Sequence, residues 1–157
     1  MKRKGYTNTT QTNPKKHAKQ TPLTKKKNRK AIPYNLTTTH IILIILLLVI
    51  IDQLTKLPFT TTINYGGAFG LFQNSRILFI FISILVIVLA STQIKNKKYQ
   101  FPLTLIIAGS LGNLIDRIFL GYVRDFISLP FWPTFNFADF FLTLGFLWLI
   151  IILIKKN

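Results

Sequence analysis

Four long apolar runs constrain this chain more than any other feature: "TTTHIILIILLLVIIDQLTK" (37–56), "ILFIFISILVIVLASTQI" (77–94), "FPLTLIIAGSLGNLIDRIFL" (101–120) and "FADFFLTLGFLWLIIILI" (137–154). Each has about the length a helix needs to cross ~30 Å of hydrocarbon at ~1.5 Å per residue. Their apolar residues run continuously instead of forming the stripes of a soluble core. The expected fold is therefore an all-α membrane protein with four transmembrane helices joined by short loops.

Basic residues orient the bundle. Eleven Lys or Arg fall in the first 40 residues, three in "KNKK" between the second and third runs, and two in the terminal "KKN". Basic residues accumulate on the cytoplasmic side, so both termini are expected there. The first and third runs then travel outward, and the segments 57–75 and 121–136 lie outside. The first outer segment, "LPFTTTINYGGAFGLFQNS", joins a β-branched stretch, with Thr60 to Ile63 favouring a strand, to three glycines that let backbone approach closely. It is expected to form a small β-like cradle. The second, "GYVRDFISLPFWPTFN", is an aromatic loop whose Trp132 suits the membrane interface.

Residues 1–36 are a separate segment rich in Lys, Thr, Asn and Gln, with prolines at 14, 22 and 33 and no acid. It has too little apolar surface to offset the entropy of ordering. The expectation is a disordered polybasic cytoplasmic arm that touches anionic lipid headgroups, with 37–157 as the membrane domain. A nucleic-acid partner is not expected, because only Tyr6 and Tyr34 interleave with the charge. The first run lacks a small-residue cleavage site and follows a very long basic region, so it reads as a retained anchor.

The acidic residues carry the functional signal. There are four, all aspartate: Asp52, Asp116, Asp125 and Asp139. Each lies in or beside an apolar run, where a carboxylate is costly and reads as functional by default. With the orientation above, all four reach the external interface. Asn113, Asp116 and Arg117 share a face by i, i+3, i+4 spacing; Asp116 and Arg117 read equally as a self-neutralising ion pair or as members of a site. Asn136 and Asp139 share a face in the fourth run, where Asn136 is also suited to cap the helix and Asp139 to meet its dipole.

Asp125 and Asp139 are 14 residues apart, and the loop between them allows close approach. Two carboxyls in a low-dielectric site cannot both ionise readily, so one keeps its proton. The ionised member then takes a proton from water while the neutral one polarises a carbonyl. Other chemistries fit less well. Cysteine is absent, which excludes disulfides, thiolate metal sites and a cysteine nucleophile. His17 and His40 lie on the wrong side for a serine–histidine pair with Ser75, Ser110 or Ser128. A serine–Lys56 dyad has no serine tied to it in sequence, and a hard-cation site built from aspartates has no supporting motif. A proton-coupled transporter would spread its acids across the midplane, and a noncatalytic assembly subunit would tolerate Asp→Asn changes.

The chain resembles the lipoprotein signal peptidases, or signal peptidase II, a family of intramembrane aspartic peptidases. The resemblance covers 40–154 and rests on five motifs in order: "DQLTK" (52–56), "NYGGAF" (64–69), "GNLIDR" (112–117), "VRDFI" (123–127) and "FNFAD" (135–139). It implies that Asp125 and Asp139 are the catalytic pair and that Asp52, Lys56, Asn64, Gly66, Asn113, Asp116, Arg117 and Asn136 shape the site, bond the substrate backbone or hold the dyad. It further implies cleavage before a diacylglyceryl-modified cysteine of a prolipoprotein, without metal or cofactor, at the outer face of the bacterial cytoplasmic (inner) membrane. A monomer is expected. Three features depart from the family pattern: a short stretch between "DQLTK" and "NYGGAF", Ala108 and Ser110 where the family tends to have Gly and Ala, and the basic arm.

Overall fold

The structure, a computed structural model, describes Met1, Gly5, residues 36–58, 62–67, Phe72 and residues 75–155. The chain divides into Met1–Ala31 and Ile32–Asn157. The arm expected to be disordered lies outside the described residues apart from Met1, Gly5 and Leu36, and all that follows concerns the second unit.

Four helices are present: α1 (Thr38–Thr55), α2 (Arg76–Gln93), α3 (Gln100–Phe119) and α4 (Phe137–Ile154). Their bounds fall within a residue of the apolar runs. All four are long and apolar enough to cross a membrane. Chain chemistry sets the starts of two. The Thr37 hydroxyl accepts from the His40 backbone N–H to cap α1. At α4 the Asn136 side chain accepts from Asp139 N, and the Asp139 carboxylate accepts from Asn136 N, a reciprocal capping box that satisfies two donors no helical carbonyl can reach.

The helices are not equivalent. In α3, 72% of the apolar window is buried, against 11% in each of the other three. α3 is the central element, packed on α1, α2 and α4. Around its first half Leu103, Ile106 and Ile107 meet Ala90 of α2, with Ile45, Val86, Leu142 and Leu149 closing over them. The other helices turn residues such as Leu43, Leu47, Phe81, Leu85, Leu147 and Ile151 outward, as expected where the solvent is lipid. Gly109 is what allows α4 so close. A Cβ there would collide with the Ala138 carbonyl and the Leu142 side chain, the close approach that small residues permit between membrane helices.

Four short strands join the helices: β1 (Thr62–Asn64), β2 (Val123–Asp125), β3 (Ile127–Leu129) and β4 (Trp132–Phe135). β1 pairs antiparallel with β2, setting Thr62 opposite Asp125 and Asn64 opposite Val123. β3 and β4 form a hairpin with an irregular register, turned at Phe131 with φ +64°. Two expectations change here. The strand foreseen from Thr60 to Ile63 is seen over Thr62–Asn64, with Thr60 and Thr61 outside the described residues. The aromatic segment is a β-hairpin, since Ile127, Trp132, Thr134 and Phe135 favour a pleated backbone, Pro130 falls in the turn and Pro133 falls where the register is irregular, outside the paired positions. The fold is thus mainly, not purely, helical.

Candidate active site

The polar residues gather at one end of the bundle, where α1 and α3 finish, α4 begins and the β1–β2 pair lies across them. Asp52, Lys56, Asn113, Asp116, Asp125 and Asn136 are all buried, none more than 4% exposed. Two linked clusters make up this end.

The first cluster is ionic. Lys56 Nζ lies 2.7 Å from Asp52 Oδ2 and 3.3 Å from Asp116 Oδ2. Arg124 holds Asp116 from the other side, with Nη2 to Oδ1 at 2.8 Å and its own backbone N–H to Oδ2 at 3.0 Å. Gln53 ties both acids together, donating to Asp52 at 3.1 Å and Asp116 at 3.2 Å while accepting from Arg124 Nη2 at 2.8 Å. Asp52 also accepts from Ala138 N at 2.8 Å, so the last turn of α1 is bonded to the first turn of α4. A Cβ on Gly112 would stand 2.7 Å from Asp52 Oδ2; this contact requires glycine.

The second cluster is built from amides. Asn136 Nδ2 donates to Asp125 Oδ1 at 2.7 Å, and Asn64 Nδ2 to Asp125 Oδ2 at 3.0 Å. Asn113 Nδ2 donates to Asp139 Oδ1 at 2.7 Å, and Asn136 N to Asp139 Oδ2 at 3.3 Å. Among the described residues each carboxyl therefore receives two N–H donors and no direct ion pair. The clusters meet at Asn113 Oδ1, which accepts from Asn136 Nδ2 at 3.0 Å and from Lys56 Nζ at 3.4 Å. Lysine can only donate, so this contact turns the Asn113 oxygen toward Lys56 and its amino group toward Asp139. Burial, with the charge of Asp139 adding to it, pushes the Asp125 carboxyl up to about 6, against the hydrogen bonds from Asn64 and Asn136 and the charge of Lys56.

All ten residues singled out from the sequence lie at this end, but not all as foreseen. Asp116 and Arg117 do not pair. Asp116 faces Lys56 and Arg124, whereas Arg117 donates from Nη2 to the Gly66 carbonyl at 3.2 Å and stacks on the Phe79 ring at 4.8 Å. Gly66 N is bound in turn by Asn64 Oδ1 at 2.9 Å. Lys56 has carboxylates and an amide as partners, which removes the serine–lysine alternative. His40, bonded to Thr37, stands twelve residues, or about 18 Å of helix, from Asp52. Among the described residues no three acidic or histidine side chains come close enough to hold a metal ion.

Sequence reasoning missed Gln53, Arg124 and Ala138. Charge arithmetic was the available signal for Arg124. Asp52 and Asp116 buried beside a single Lys56 leave one negative charge unmatched, and buried charges are paired.

Asp139, Asn113, Arg117 and Asn64 border a cavity of about 800 Å³ between α2, α3 and α4, whose walls are otherwise mostly apolar. Fold and site together define a multi-pass membrane protein with a buried polar cluster beside a largely apolar cavity at one end of its bundle. The family profile described as Signal peptidase (SPase) II matches residues 57–155, and the chain belongs to that family, which makes it a membrane peptidase, a hydrolase. It is 37% identical over 129 residues to the lipoprotein signal peptidase of Caldicellulosiruptor bescii, covering 69% of this chain and 86% of that one. With the enzyme of the same name from Caldanaerobacter subterraneus it shares 48% over 87 residues, 52% of this chain and 60% of that one. A solved bacterial membrane enzyme, 31% identical, superimposes with a TM-score of 0.71 over 76% of this chain and 90% of its own.

Proposed function

We propose that this chain is an aspartic endopeptidase that removes the signal peptide from diacylglyceryl-modified prolipoproteins, cutting before the lipidated cysteine. Asp125 and Asp139 are the catalytic pair. The observation that carries the reading is the amide bridge: Asn136 bonds Asp125 through its side chain and Asp139 through its backbone, so one residue ties both acids together, with Asp139 at the edge of the cavity. With one proton shared, the ionised carboxylate accepts a proton from water as its oxygen attacks the carbonyl carbon. The neutral carboxyl donates its proton to the carbonyl oxygen, and collapse of the resulting gem-diol passes a proton to the departing amine. No metal or cofactor is assigned a role.

The remaining site residues support that chemistry. Asn113 and Asn136 orient the dyad, while Asp52, Lys56 and Asp116 anchor α1, α3 and β2 around it. Asn64, Gly66 and Arg117 form the cradle wall against the substrate backbone. Basic residues in the arm, the α2–α3 connection and the C-terminal end put both termini in the cytoplasm, so the dyad opens at the outer face of the cytoplasmic membrane. The exposed Phe131 and Trp132 of the hairpin sit in the interface there. The arm meets anionic headgroups, and the enzyme acts as a monomer.

The test is cleavage of a diacylglyceryl-modified prolipoprotein by purified protein in detergent, with Asp125→Asn and Asp139→Asn variants and an unlipidated substrate beside it. Only the wild type should cut, and only the lipidated form. Cleavage by both Asn variants would make the aspartates structural.

A further inference from the structure

Two serines in the membrane-embedded part of the cavity have no role so far. Ser83 of α2 and Ser110 of α3 are 8% and 3% exposed, and both line the cavity. Hydroxyls elsewhere in these helices turn back onto their own backbone: Thr104 Oγ1 donates to Gln100 O at 2.7 Å, Ser91 Oγ to Ile87 O at 2.7 Å and Thr55 Oγ1 to Ile51 O at 2.8 Å. Ser83 and Ser110 make no hydrogen bond among the described residues. They line the cavity together with apolar residues such as Phe79, Ile82, Val86 and Leu142. As small residues kept only for helix packing they would be expected to bond a carbonyl one turn back.

Their depth suggests what they meet. Ser110 precedes Asn113 by three residues and so lies on the same face of α3, about 4.5 Å further from the outer end. Asn113 holds Asp139, so the hydroxyl sits about one turn below the dyad, toward the middle of the bundle. On the reading given above, the substrate upstream of the cut is a membrane helix. It must unwind near the dyad to expose a scissile bond, since helical carbonyls are already engaged. A helix end leaves its last carbonyls without intrahelical partners, and at membrane depth no water is at hand to take them.

We propose that Ser83 and Ser110 form a backbone subsite that donates O–H bonds to the terminal carbonyls of the substrate's membrane helix, just upstream of the bond cut. This inference rests on the peptidase reading and deepens it. Because hydroxyls at this site read backbone carbonyls and not side chains, they stabilise the unwound segment whatever its side chains.

Binding tests this separately from cleavage. In an Asp139→Asn background, the dissociation constant of a fluorescent diacylglyceryl-modified peptide spanning signal helix and cut site is measured in detergent. Ser83→Ala and Ser110→Ala should each weaken binding about fivefold and the double variant about 25-fold, the effect of one net hydrogen bond apiece. Thermal unfolding should stay unchanged and Ser83→Thr should restore binding. Replacing a backbone amide upstream of the cut by an ester, whose carbonyl accepts more weakly, should weaken binding to the parent but not to the double Ala variant. A double variant that binds within twofold of the parent, or an ester effect equal in both, overturns the subsite. If binding depends on the hydroxyls while wild type never cuts, the subsite stands and the peptidase reading falls.

Discussion

Asp52 and Asp116 are neutralised by Lys56 and Arg124, whereas Asp125 and Asp139, at the same end of the bundle, are held among the described residues by amides. Lys56 and Arg124 match the charges of the first pair, and Gln53 completes a network of short bonds. The second pair receives four N–H donors, all neutral: Asn64, Asn136 twice and Asn113. Cation pairing fixes a carboxylate in its charged form and withdraws it from proton traffic. Neutral donors orient a carboxyl while leaving its protonation adjustable. On the proposed assignment, Lys56 and Arg124 make their ion pairs with the architectural acids, and the two acids of the dyad take their direct bonds from amides.

The sharpest way to break this comparison is to neutralise one acid from each pair. Asp125→Asn and Asp139→Asn should lower kcat by about 10²–10⁴, the scale of general acid–base catalysis, while thermal unfolding in detergent still gives a cooperative transition. Asp116→Asn should do the reverse. It leaves Arg124 without its carboxylate partner and Lys56 with Asp52 alone, and loss of one partner in a buried pair costs up to about 3–5 kcal/mol, measurable by denaturant unfolding. The Asp52→Asn/Lys56→Met double variant should lose less stability than Lys56→Met alone, because it removes charge in balance; equal losses would mean the two do not act as a pair.

A finer test uses pH. Asp125 has its folded value raised from the ordinary 3.8 to about 6. Between those values the folded state binds more protons than the unfolded one, so stability falls as pH rises through the window. Below it Asp125 costs nothing, and above it the full penalty applies. Relative to Asp125→Ala, the wild type should lose about 2–3 kcal/mol between pH 3.5 and 7, seen by unfolding at both values. The smallest effect belongs to Asn64→Ala. Losing a donor that favours the ionised carboxylate raises the Asp125 value further, so the alkaline limb of the pH–rate profile should move up, by less than one unit. A downward shift would assign Asn64 another role.

The parts legible in sequence were those that lipid or local spacing enforces. A bilayer demands long unbroken apolar runs, so α1, α2, α3 and α4 were readable to within a residue. The i, i+3 relation of Asn136 and Asp139 foretold the capping box, since both partners lie within one turn. What could not be read depends on distant chain. β1 and β2 are three residues each, too short for a period to register, and Asn64 and Val123 lie 59 residues apart. Arg117 looked like the partner of Asp116 because it is adjacent, but neighbours on a helix point about 100° apart. Arg124 reaches Asp116 because β2 turns back over the end of α3. The lower mean hydropathy of α3, 1.2 against 2.1, 2.2 and 2.5 for the other three, was the one available sign that it would be central.

That centrality has a practical consequence. Almost everything that shapes the site is either on α3 or bonded to it, while α1, α2 and α4 turn broad apolar faces outward. A designer wishing to carry this fold into water would repaint three outer surfaces with charge and leave the middle helix untouched. The inward seams, among them the Gly109 contact with α4 and the Gly112 contact with Asp52, would have to be copied atom for atom.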